Sequence, residues 1–180
     1  MIISPYKVND VIKRSDISTG NIFTYQTGNG TRYASLGRNN GFYYGFKLQQ
    51  ILHGVPTHNP IKAVVTPVTS QTIDKMCVIV GYFTLDLAFD NMPQIRTYDN
   101  KSIPPFGSII STPNFVNKEG KPHLFMNLGA SVHSERGIDL YPLSEDGNIK
   151  MLEFGSLLAI RGNVNFITHE PVSYTHLRAH

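Results

Sequence analysis

The run of residues 76–89 constrains this chain most. In its second half Phe83, Leu85, Leu87 and Phe89 alternate with Thr84, Asp86, Ala88 and Asp90. Side chains leave a strand on opposite faces in turn, so this period of two buries one face of a sheet and wets the other. Gly81 within the run marks a bulge or bend. Such a strand needs partners, and the remaining pattern supplies them. Segments 22–25 and 31–36 flank Thr27-Gly28-Asn29-Gly30 and read as a hairpin. A second turn signal, Arg38-Asn39-Asn40-Gly41, leads into an aromatic strand over 42–52, and 61–68 reads as a β-branched strand in which Pro67 marks an edge or an end. Segments 106–111, 123–128, 137–143 and 154–160 add four more, and 163–168 a last one. Residues 91–105 hold three prolines and read as a long loop. Only 8–15, with apolar residues at helical spacing after Pro5, reads as a short helix.

The expected fold is therefore all-β: an antiparallel β-sandwich or jelly roll, with a partly open barrel as the alternative and a short N-terminal helix. A chain of 180 residues with 41% apolar and 16% charged residues has the material for a core, and residues 1–171 are expected to form a single β-rich domain. The net charge of +3 is too small to demand a polyanionic partner, so nucleic acid is permitted but not indicated. The one cysteine, Cys77, lies in an apolar run and reads as a buried, inert thiol. The N-terminus has neither the basic nor the apolar region of a secretory signal, and no run approaches about 18 apolar residues. Cytoplasmic synthesis without a membrane span is the expectation. The last nine residues, 172–180, resemble the translated adapter read-through found at the ends of reading frames from assembled environmental DNA. On that reading the natural protein is cut off near Pro171.

Phosphate-loop, dinucleotide-fold, EF-hand, zinc-finger and nucleophile-elbow patterns are all absent from the sequence. Arg32, Tyr33, Arg38, Tyr43, Tyr44 and Lys47 interleave positive charge with aromatic faces, a combination that stacks flat rings while neutralising an anion. The competing reading splits these aromatics between core and surface by strand alternation. Carboxylate pairs such as Asp86 with Asp90, or Asp139 with Glu135, fall where alternation expects a wet face.

The histidines outside the tail are His53, His58, His123, His133 and His169. His133, Glu135 and His169 follow the order His-x-acid then His used by facial-triad iron sites, against the plainer reading of histidines without metal. Segments 137–142, 155–159 and 169–172 are loosely similar to the closing strands of the 2-oxoglutarate-dependent oxygenase family. That resemblance implies Fe(II) held by His133, Glu135 and His169, with Arg178 on the cosubstrate. The run 155–164 looks a little like the closing strand pair of an OB barrel, which would suit single-stranded nucleic acid.

With no catalytic motif and modest charge, the leading expectation is a non-enzymatic β-structured module for binding or assembly, of the kind a virus-like particle or appendage is built from. Its expected partner is a protein or glycan surface, or another copy of itself, and it needs no cofactor. The jelly-roll oxygenase with Fe(II) and the single-strand-binding barrel are the rivals.

Overall fold

A computed structural model describes residues 6–48, 60–99, 101–144 and 147–171. His53, His58 and the tail 172–180 lie outside the described residues. The chain is all-β, with eleven strands among the described residues and antiparallel pairing throughout the registers. The strands are β1 (Val11–Lys13), β2 (Asn21–Tyr25), β3 (Tyr33–Asn39), β4 (Phe42–Leu48), β5 (Pro60–Pro67), β6 (Met76–Thr97), β7 (Ser108–Ser111), β8 (Phe125–Ala130), β9 (Gly137–Pro142), β10 (Lys150–Glu153) and β11 (Leu157–His169). They form one open hydrogen-bonded path, β10-β9-β8-β7-β11-β6-β2-β3-β4-β5, with β1 paired to β6. Among the described residues no helix is long and apolar enough to cross a membrane. Contacts divide the chain into two compact units, Met1–Leu85 with Phe166–His180, and Asp86–Asn165.

In the first unit the expected hairpin forms, and the second turn signal joins β3 to β4; residues 49–52 of the expected aromatic strand lie outside the described residues. Asn40 (φ 49°) and Gly41 (φ 82°) are consecutive left-handed residues between β3 and β4, the two-residue turn whose twist matches the flanking strands. The β2-β3-β4 registers pair Phe23 with Tyr33 and Tyr33 with Lys47 on one face, and Ile22 with Ala34 and Ala34 with Phe46 on the other. On the second face Phe46 meets the rings of Phe83 at 5.2 Å and Phe166 at 4.4 Å. On the first, Ile17, Phe23, Cys77 and Ile79 are buried together, with Tyr6, Ile12, Tyr25 and Tyr33 packed on them. A fully buried large apolar side chain contributes about 1.5–3 kcal/mol, so this sheet gains from both faces. The second unit has its own core of Tyr98, Ile110, Phe125, Ile138, Leu140, Leu152 and Leu158.

Several local expectations are corrected. Residues 8–15 make β1 and one 3-10 turn (Arg14–Asp16), because pairing of Ile12 with Cys77 and of Asn9 N with Ile79 O (2.7 Å) overrides the helical spacing. Residues 91–97 are strand, since β6 runs on to Thr97 through Pro93, which an edge tolerates. The segments expected as separate strands at 154–160 and 163–168 are replaced by one strand, β11, and β10 was not expected. A short helix, α1 (Ser70–Ile73), is held by reciprocal Thr69 and Thr72 caps. Gly81 does sit at a register shift, where an added Cβ would lie 2.5 Å from His169 O. Asp139, expected on a wet face, is buried at 2% exposure on β9, which is paired on both sides, by β8 and by β10. Burial pushes its carboxyl above the usual range, against hydrogen bonds from Ser131 and the Val132 N–H.

Candidate functional site

The 3-10 turn after β1 delivers an arginine to the interior. Its backbone is fixed to the chain just before β6, Arg14 N donating to Lys75 O at 2.7 Å. Lys13 reaches the surface carboxylate of Asp74 at 3.6 Å, and the next side chain turns inward. Arg14 is only 5% exposed. Its guanidinium carbon lies 4.1 Å from the ring centroid of Tyr43 and 4.7 Å from that of Phe23. Each such cation–π contact offsets roughly 1–2 kcal/mol when desolvated. They leave the N–H groups unserved: Arg14 Nε and Nη1 have no hydrogen-bond partner, and neither does the buried Tyr43 hydroxyl. Among the described residues no carboxylate lies within ion-pair reach of Arg14. An orphaned buried donor costs about 1–3 kcal/mol, more when charged, so this site holds unspent hydrogen-bonding capacity.

Arg14 and Tyr43 also line a cleft of about 80 Å³, together with Phe23, Tyr25, Tyr33 and Gly45. Phe23, Tyr25 and Tyr33 lock one another, with ring centroids 5.6–5.8 Å apart. Gly45 contributes no side chain, and none fits there: an added Cβ would lie 2.3 Å from Ala34 O on the paired strand. Burial pushes the Tyr25 hydroxyl up, although Arg14 beside it pulls the other way. The Cys77 thiol is pushed up to about 11, again by burial, against Arg14 and Lys75. Both groups are therefore uncharged at neutral pH, and neither neutralises the arginine. A second cation, Lys75 Nζ, stands 5.3 Å from the Tyr25 ring centroid.

The residues expected from sequence divide in two. Tyr33, Tyr43 and Tyr44 all line this cleft. Register places Lys47 beside Tyr33 and Arg38 beside Tyr43, so these two cations share the Arg14 face, Arg38 exposed and Lys47 half-buried. Arg32 is elsewhere: it is 4% exposed and its Nη1 is ion-paired with Glu170 Oε2, itself inaccessible. His133 and Glu135 are exposed on the β8-β9 loop of the second unit. His169 ends β11 in the first unit, stacked on Tyr82 at 5.0 Å. Among the described residues no three His, Cys, Asp or Glu side chains are grouped to hold a metal ion, so these do not make such a group.

Arg14 itself is the residue that sequence reasoning missed. It sits in a segment read as helix, and the rings that surround it come from β2, β3 and β4; nothing in local spacing connects them. Searches against protein-family models, curated proteins and solved structures find nothing that matches this chain.

Proposed function

We propose that this chain is a non-enzymatic β-structured binding module whose Arg14 cleft takes up a small oxyanion, a carboxylate or phosphate borne on a partner surface. The observation that carries the reading is the buried guanidinium with two unpartnered N–H positions beside an unpartnered tyrosine hydroxyl. An oxyanion admitted to the cleft would accept from this guanidinium, and hydrogen bonds to a charged group are about twice as strong as neutral ones. The volume exceeds several-fold the roughly 10–15 Å³ that one water needs, which leaves room for the anion and a short apolar stem against the rings. Arg38, Lys47 and Lys75 on the same side draw an anion inward. Capture rather than turnover is favoured because among the described residues no histidine or carboxylate lines the cleft, and the nearby thiol stays protonated.

Calorimetric titration with benzoate and with inorganic phosphate tests this. Saturable binding that weakens with salt is expected, and Arg14→Met should abolish it while keeping or raising the melting temperature, since an apolar isostere removes an unpaired buried charge. Water is the rival occupant. Failure of both probes to saturate by about 10 mM, or unchanged binding by Arg14→Met, would overturn the reading.

A further inference from the structure

The second half of β6 carries an independent feature, within the unit Asp86–Asn165. Pairing with β1 ends at Val78 and with β2 at Tyr82, so from Thr84 to Thr97 β11 is its one strand neighbour among the described residues. Phe83 N still donates to Gly20 O on the β2 side, at 2.9 Å. By strand alternation the backbone groups of Leu85, Leu87, Phe89, Asn91, Ile95 and Thr97 point to that same open edge. The strand also shows apolar side chains: Phe89 is 56% exposed, Met92 83% and Ile95 69%. Edge strands are usually short and blunted, whereas this one belongs to a strand of 22 residues.

Charge identifies the occupant. Asp86 and Asp90 lie near one end of the open edge and Arg96 near the other, none in an ion pair among the described residues, and Arg96 Nε has no hydrogen-bond partner. We infer that this edge pairs antiparallel with the same edge of a second copy, about a two-fold axis at Asn91. That register sets Asp86 opposite Arg96, Leu87 opposite Ile95 and Phe89 opposite Pro93, each twice. Centring one residue earlier faces Asp90 with Asp90, and one residue later leaves Arg96 opposite Ala88; centring two residues later joins Asp90 to Arg96 but sets Pro93 against Pro93, a central pair with no donor on either strand. Pro93 withholds one donor from each Phe89 pair, which weakens the ladder without breaking it. The pairing is isologous and uses up the edge, so assembly stops at two.

Sedimentation of the full chain over about 1–100 µM decides the matter. A dimer is expected for the unmodified chain. Asp86→Arg and Arg96→Asp should each weaken it at least about tenfold, a 1.4 kcal/mol loss, with circular dichroism unchanged. An equimolar mixture of the two variants restores both opposite-charge pairs and should recover the dimer. A monomer at the highest concentration, unchanged dimerisation in both variants, or a mixture that stays monomeric would overturn the inference. Anion titration of the Arg14 cleft reads a separate unit and is unaffected by either result.

Discussion

Two arginines, Arg14 and Arg32, are both withdrawn from water and are treated in opposite ways. Arg32 is matched by Glu170, so its charge is neutralised where it lies. Arg14 has only ring faces and neutral hydroxyl and thiol neighbours. Removing one partner of a buried pair leaves the other charge stranded, at a cost of about 3–5 kcal/mol. Glu170→Gln should therefore lower the urea midpoint by the equivalent of that loss, and a variant as stable as the parent would show that the pair contributes little. Sequence reading recognised that Arg32 and its aromatic neighbours were unusual. It could not see the partner, because Glu170 lies 138 positions further on.

At the scale of elements, what was legible depended on how local the cause was. The β2-β3 and β3-β4 hairpins are written in their turn residues, and both formed. The alternation in β6 was equally plain and holds at buried Phe83, but Phe89, expected on the buried face, is 56% exposed. The continuation of β6 through 91–97 was not legible, because Pro93 and the polar residues around it carry loop chemistry that an open edge accepts. The segment before Arg14 failed for the converse reason: three residues of β1 are too few for a period to show. The cleft depends on one close approach between elements, that of β4 to β3 at Gly45. An added methyl there meets the backbone oxygen of Ala34, which cannot move aside cheaply. Gly45→Ala should cost about 1–3 kcal/mol in thermal melting and weaken anion binding with it. Unchanged stability would mean that the two strands separate more readily than their register implies.

For the whole molecule, the all-β class followed from alternation distributed along the chain, whereas the cleft was legible only in part, as aromatics without their arginine. Stability against pH joins the two, because Cys77 belongs both to the core and to the surroundings of Arg14. Its thiol is held near 11 when folded and has an ordinary value of 9.0, so the folded state keeps a proton that the unfolded chain releases. The stabilisation is complete below pH 9 and is lost as pH rises through 11. Cys77→Ala should flatten that decline in denaturant titrations, and an identical slope in both proteins would remove the thiol as its cause.

The ion pair between Arg32 and Glu170 also sets an order of events. During synthesis the hairpin bearing Arg32 leaves the ribosome first, and its counter-ion follows 138 residues later. The intervening segment 86–165 forms a compact unit of its own. Until Glu170 follows, the nascent hairpin must keep Arg32 in water, so final locking of the first unit is a late, non-local step that no truncated precursor ending before Glu170 can take.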